Sequence, residues 1–192
     1  MTKIFIDGSQ GTTGLKIFDR LAKREDIELI TLPEDLRKDT NARKQALNSA
    51  DIAFLCLPDA AAIEAVSLIE NDNTIVIDTS TAHRTNDGWA YGFPELSEEF
   101  ETKLKNSNRI AVPGCYASGF IALVKPLVDA GIVDSDIYIA CHAMSGYSGA
   151  GKNGIAQYED ANRDVLLDAP REYALTQQHK HLKEMKAISG LK

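Results

Sequence analysis

The chain of 192 residues contains no apolar run of the about 18 residues that a bilayer-crossing helix takes, so no membrane span is expected. Cysteine is sparse. Cys56, Cys115 and Cys141 are an odd number without the spacing of a disulfide framework, which fits a reducing compartment. Cations are outnumbered, 21 Lys and Arg against 28 Asp and Glu, and the net charge of −7 excludes a general nucleic-acid-binding surface. A small anionic ligand needs only a few local cations and stays open. Residues Met1 to Gly8 enter a strand directly, without the apolar stretch and small-residue cleavage site of a signal peptide, so a cytoplasmic location is expected. There is no internal repeat and no low-complexity linker.

What is present is a globular composition, 44% hydrophobic and 26% charged, arranged as short apolar runs alternating with helical patterns. Strands are expected at Lys3–Asp7, Ile27–Leu32, Asp51–Leu57, Thr74–Asp78 and Arg109–Val112. Helices are expected at Thr13–Arg24, Asn41–Ser49, Ala60–Glu70 and Leu96–Lys105. Such alternation implies parallel pairing with right-handed crossovers, and all-apolar strands imply a sheet covered on both faces. The expectation is an α/β doubly wound, Rossmann-type sheet. Beyond it the pattern predicts a helix at Ala117–Val133, one strand at Asp136–Met144, a Gly/Ser loop at Ser145–Gly154, and helices at Gln157–Leu167 and Tyr173–Ile188. One strand after residue 134 is too little for a sheet of its own.

Gly8-Ser9-Gln10-Gly11-Thr12-Thr13-Gly14 follows the first strand and opens the first helix. Glycines there permit a tight turn and let the backbone approach a pyrophosphate resting on the helix N-terminus, with Thr12 and Thr13 as added hydroxyl donors. The spacing is three and three rather than the usual two and three. The second expected strand ends without the acidic residue that takes a ribose diol. Arg37 and Lys38 follow instead, a cation pair that suits a 2′-phosphate and hence NADP. Pro58 and Ser80 stand at carboxyl ends of expected parallel strands, where such sheets bind ligands.

Pro113-Gly114-Cys115 ends the last strand of this unit and begins a helical pattern. A thiol at a helix N-terminus is favoured as thiolate by free N–H groups and the helix dipole, and neighbouring N–H groups suit an oxyanion. The alternative is a buried thiol used as apolar filler. Cys56 and Cys141 are expected to be of that kind, and His142 is expected to be a packed strand residue.

Further runs carry a resemblance. They are Asp78-Thr79-Ser80-Thr81-Ala82-His83-Arg84, Tyr91-Gly92-Phe93-Pro94-Glu95-Leu96, Ser145-Gly146-Tyr147-Ser148-Gly149-Ala150-Gly151-Lys152, and His179-Lys180-His181-Leu182-Lys183-Glu184-Met185. With the phosphate loop and Pro113-Gly114-Cys115-Tyr116 they resemble the N-acetyl-gamma-glutamyl-phosphate reductase family in its shorter form. The resemblance implies a Rossmann NADP domain at 1–116, followed at 117–192 by part of an α+β catalytic or dimerisation domain of the glyceraldehyde-3-phosphate-dehydrogenase-like type. It implies Cys115 as nucleophile and His181 as acid/base, with His179, two residues away on an expected helix, facing elsewhere. It implies Arg84 on the substrate's phosphoryl group, and Ser148, Gly149 and Lys152 near substrate or nicotinamide. The implied chemistry is thioester formation from an acyl phosphate and reduction by NADPH to the semialdehyde, in arginine biosynthesis, by a homo-oligomer. Lys183 stands where the family usually has Pro. Family members also continue past the histidine run, so the chain resembles a shortened member. The competing expectations are an aspartate-semialdehyde dehydrogenase-like enzyme and a non-catalytic NADP-binding remnant.

Overall fold

A computed structural model describes residues 1–192. The apolar runs form strands β1 (Thr2–Asp7), β2 (Ile27–Ile30), β3 (Ile52–Leu55), β4 (Ile75–Asp78), β5 (Ala90–Tyr91) and β6 (Arg109–Ala111). They make one six-stranded sheet in the order β2-β1-β3-β4-β6-β5, every pair parallel. The helices are α1 (Thr12–Leu21), α2 (Thr40–Ser49), α3 (Asp59–Ser67), α4 (Glu98–Lys105), α5 (Cys115–Asp129), α6 (Gly151–Glu159) and α7 (His181–Ser189). From β1 the chain steps outward to β2 and then returns past β1 to β3. That reversal opens a crevice at the carboxyl ends of β1 and β3, the place where such sheets bind ligands.

Small residues let helices approach the sheet closely. Ala46, Leu47 and Ala50 at and just beyond α2 and Ala65 of α3 pack with Phe5, Ala53, Leu55 and Val76 in the main buried cluster. Ala53, Leu55 and Val76 have no solvent exposure, as expected of strands covered on both faces. A second cluster, Tyr91, Ala117, Ile121 and Met185, joins β5, α5 and α7. It brings the C-terminal helix to the sheet edge.

The C-terminal third departs from expectation. Residues 136–144 form no strand, and Ile137, Tyr138, Ile139 and Met144 are exposed. Strand propensity is satisfied only by a neighbouring strand, and none lies beside this segment. Cys141 and His142 are therefore exposed rather than packed. Residues Tyr147–Ala150 form a 3-10 turn, α6 starts at Gly151 within the expected loop, and Val165–Asp168 is a second 3-10 turn. Residues 173–180 are not helical. Ala174 and Gln177 have φ of 59° and 53°, which no right-handed helix accommodates. The short edge strand β5, unforeseen in the sequence, has only two residues to signal it.

Candidate active site

Cys115 is the first residue of α5 and is exposed, so the thiol does stand at a helix N-terminus open to solvent. Gly114 precedes it with φ −71° and ψ 148°, values any residue adopts. Space, not backbone freedom, requires the glycine. A Cβ there would lie 2.6 Å from Arg84 Nη1 and 2.6 Å from His181 Nε2. Arg84 and His181, far apart in sequence, thus close on the residue next to the thiol.

His181 opens α7 and is buried. Burial, and next the charge of Arg84, push its imidazole down to about 4, so the ring is neutral near pH 7. Its Nδ1 is buried without a hydrogen-bond partner. His179 lies before the helix, not on it, and its ring meets that of His181 edge-on at 4.6 Å. The Tyr116 ring lies 5.4 Å from that of His179 and 5.9 Å from that of His181. The two histidines are neighbours rather than opposed. Lys183 is exposed in the first turn of α7, where a backbone N–H has no intrahelical partner and Lys or Pro fits equally.

Glu184 organises these groups, and sequence reasoning gave it no role. It is 2% exposed. Oε1 accepts the Gly114 N–H at 2.8 Å and the Tyr91 hydroxyl at 2.6 Å, while Oε2 accepts Arg84 Nη1 at 2.9 Å. Burial, and next the bond to Glu184, push the Tyr91 phenol up, so it stays protonated and donates. The signal was available: Glu184 lies three residues after His181, on the same face of one helix.

Arg84 is buried and well occupied. Nε donates to Val112 O at 2.8 Å and Nη2 to Thr79 O at 3.0 Å, besides the Nη1 bond to Glu184. A guanidinium has five N–H donors, so two are left for a ligand. The loop carrying Arg84 is tied down by fully buried Asp78, which accepts Ser80 N–H at 2.9 Å and Ser80 Oγ at 2.6 Å and pairs with His83 Nδ1 at 2.7 Å. The His83 ring stacks on Trp89 at 4.1 Å. Ser80 stands at a strand end as expected, with its hydroxyl committed to Asp78.

A cavity of about 550 Å³ lies at the carboxyl ends of β1 and β2, lined by Gly8, Ser9, Gly11, Arg37 and Lys38, among others. Gly8 has φ 84°, and a Cβ on it would lie 2.3 Å from Cys56 O, so only glycine turns there. Thr12 and Thr13 form the first turn of α1. Arg37 and Lys38 make no ion pair and no hydrogen bond through their side chains. Pro58 immediately precedes α3, between the lining residues Leu57 and Ala61. A glycine turn that admits no Cβ, a helix N-terminus and two uncommitted cations fit the phosphates of a dinucleotide. Ser148, Gly149 and Lys152 are exposed. Their loop reaches the phosphate turn, since a Cβ on Gly151 would lie 3.7 Å from Thr12 Oγ1. No side-chain hydrogen bond ties them to Cys115.

Residues 33–103 match the semialdehyde dehydrogenase NAD-binding domain, and residues 115–191 match the semialdehyde dehydrogenase dimerisation domain. Among solved structures, aspartate semialdehyde dehydrogenase II from Vibrio cholerae superposes with TM-score 0.59 at 16% identity, over 99% of this chain and 66% of that one. The Francisella tularensis aspartate semialdehyde dehydrogenase gives 0.56 at 15%, over 87% and 53%. At such identities the likeness shows the fold. Sequence similarity is closer to N-acetyl-gamma-glutamyl-phosphate reductases. That of Chelativorans sp. (strain BNC1) is 50% identical over 98% of this chain and 60% of its own length. That of Mesorhizobium japonicum is 50% identical over 98% and 61%. The chain thus spans about 60% of the length of the curated relatives it matches. With half its residues shared over 98% of its length, the chain is similar throughout to the N-acetyl-gamma-glutamyl-phosphate reductases, and its two segments match both semialdehyde dehydrogenase domains.

Proposed function

We propose that the chain carries the nucleophile, the acid/base and the cofactor crevice of an NADPH-dependent reductase that converts N-acetylglutamyl 5-phosphate to the semialdehyde, in cytoplasmic arginine biosynthesis. Residues 1–116 are the cofactor unit, and 117–192 belong to the catalytic and dimerisation unit of a homo-oligomer. The observation that carries this reading is the closure of His181 and Arg84 on Gly114, beside an exposed Cys115.

In this reading neutral His181 takes the proton of the Cys115 thiol, and the sulfur attacks the acyl carbon. A carbon–sulfur bond forms, the carbon–oxygen bond to phosphate breaks, and phosphate leaves with the electron pair. The two remaining N–H groups of Arg84 are donors for the phosphoryl oxygens. Gly114 N–H is committed to Glu184, so oxyanion donors come from the first turn of α5 beyond it. NADPH, when bound, supplies hydride to the thioester carbon. Collapse of the oxyanion so formed would release the Cys115 sulfur as thiolate, which would recover from His181 the proton it gave up. Gly8, Ser9, Gly11, Thr12 and Thr13 hold the cofactor's pyrophosphate, Arg37 and Lys38 its 2′-phosphate, and Pro58 and Ser80 border the crevice. Ser148, Gly149 and Lys152, in the loop beside Thr12, are the candidates for contact with substrate or nicotinamide.

The test is acylation of the chain by N-acetylglutamyl 5-phosphate without cofactor. The expected result is an acyl mass increment on the Cys115 peptide with release of phosphate, absent in Cys115→Ser. Equal acylation by β-aspartyl phosphate would favour the aspartate-semialdehyde chemistry instead. Nucleotide binding with no acylation by either compound would leave only a cofactor-binding module.

A further inference from the structure

A histidine that moves protons is usually held by a carboxylate or carbonyl on its second ring nitrogen. His181 has no such holder, since its Nδ1 is buried without a hydrogen-bond partner. Its backbone has a similar need. His181 is the first residue of α7, where N–H groups lack intrahelical acceptors, and the preceding Lys180 has no side-chain acceptor to give. His179 meets both needs. Its Nδ1 accepts the His181 N–H at 3.2 Å, and its carbonyl oxygen accepts the Leu182 N–H at 2.9 Å. Its ring stands edge-on to that of His181, with centroids 4.6 Å apart and planes at 89°. The His179 ring is in turn seated edge-on between Tyr116 at 5.4 Å and Tyr173 at 5.6 Å. Tyr116 directly follows Cys115, and its ring also meets that of His181.

We infer that His179 is the positioning residue of the acid/base, holding His181 by backbone and ring at once, and that it does so as the neutral tautomer with its proton on Nε2. The inference rests on the reading of His181 as acid/base for Cys115. The tautomer follows from the bond. A neutral imidazole has one N–H and one acceptor nitrogen, and Nδ1 is the acceptor here. Glu184 has a different task. It fixes α7 one turn further on, to Gly114, Arg84 and Tyr91, through bonds that do not include His181. Without His179 the helix keeps that anchor, but its first side chain is free to turn. His181 Nε2, the atom that closes on Gly114, then loses its fixed place beside the thiol. The two contacts divide the work: the N–H bond fixes where the side chain starts, and the rings fix where it points. Because Tyr116 borders both rings from the start of α5, the same packing sets the two helix starts against each other.

The test compares His179→Asn, His179→Phe and His179→Ala in the full chain, with thermal melting to verify each fold. Asn keeps an acceptor for the His181 N–H and loses the ring. Phe keeps a ring and loses the acceptor, and Ala loses both. The first readout is single-turnover acylation of Cys115 across a range of N-acetylglutamyl 5-phosphate concentrations. The maximal rate should fall by up to about 10²-fold in the Ala variant, the cost of a misplaced reacting group, with the half-saturating concentration unchanged. Asn and Phe should each recover part of that loss. The second readout is nitrogen NMR of the imidazoles, at a pH where both rings are neutral. The unmodified chain should show His179 protonated on Nε2 and one environment for the His181 ring, and the Ala variant several. A folded Ala variant with full acylation rate and an unchanged His181 signal overturns the inference. A loss that appears in the half-saturating concentration overturns it also, by assigning His179 to substrate binding. So does a His179 proton on Nδ1 in the unmodified chain, which needs no variant to detect. Failure of the unmodified chain to acylate overturns the chemistry assigned to His181, while the NMR signals still decide whether His179 holds its ring.

Discussion

Glu184 Oε1 accepts the backbone N–H of Gly114 at 2.8 Å across 70 residues of sequence, so the residue before the exposed thiol is held by the helix that carries the imidazole. The same carboxylate binds Arg84 and Tyr91. Truncating it leaves a buried guanidinium, a phenol and an N–H without their acceptor. Glu184→Ala is expected to cost about 3–5 kcal/mol in urea unfolding, the range for breaking a buried ion pair. Tyr91→Phe removes one hydrogen bond and should cost about 1 kcal/mol. Equal losses in the two variants would mean that the ion pair contributes nothing of its own.

Gly114→Ala tests the crowding around this residue. Its backbone dihedrals suit alanine, so any effect comes from the added methyl, which would fall 2.6 Å from both Arg84 Nη1 and His181 Nε2. The expected loss is about 1–3 kcal/mol, as for other overpacked sites. Acylation of Cys115 should slow with it, because the methyl displaces the groups beside the thiol. A variant with wild-type melting and acylation would contradict the observed approach.

The cysteines should divide differently from the sequence expectation. Cys115 and Cys141 are exposed, while Cys56 is half-buried and pushed up to about 11 by burial. Iodoacetamide near pH 7.5 is therefore expected to label Cys115 and Cys141 and to spare Cys56 until the chain unfolds, read by peptide mass mapping. Early labelling of Cys56 would contradict the packing around β3.

His181 gives a pH signature of known sign. Its imidazole titrates at about 4 in the fold, against an ordinary value of 6.5. Above pH 6.5 the group is neutral folded or unfolded and contributes no pH dependence. Between pH 6.5 and about 4 the unfolded chain takes the proton and the fold does not, so stability falls with pH. His181→Gln should flatten the fall in melting temperature across that window relative to wild type. An NMR midpoint near 6.5 for the His181 ring would remove the basis for its neutrality at pH 7.

The nucleotide-binding half was legible because each element satisfies its pattern locally or against its next neighbours. Lys3–Asp7, Asp51–Leu57 and Thr74–Asp78 are strands nearly as written, since alternating helices cover them on both sides. The thiol at a helix start was legible from Pro113-Gly114 alone, and the phosphate turn from its glycines. Residues 136–144 misled because their apolar residues describe a strand, and no strand lies beside them to pair with. Glu184 was passed over because a charged residue on an amphipathic helix reads as solvated. Its burial depends on Arg84, Tyr91 and Gly114, and no local pattern announces those.

The proposed catalytic pair is mounted on supports of unequal permanence. Cys115 begins a helix whose Ala117 and Ile121 are sealed against the sheet edge, whereas His181 rides on nine residues anchored chiefly by Glu184, Met185 and Ser189. Between Ala130 and Lys180 the buried residues are Gly154 and Leu167 alone, so little else braces that helix. Amide exchange should consequently run in two tiers, with α7 opening well below the free energy of global unfolding. Each such opening removes the imidazole and the Gly114 acceptor together and leaves the thiol and the nucleotide crevice standing. The molecule can then lose its proposed acid/base while keeping its proposed cofactor site, a half-assembled state in which binding and chemistry become separable.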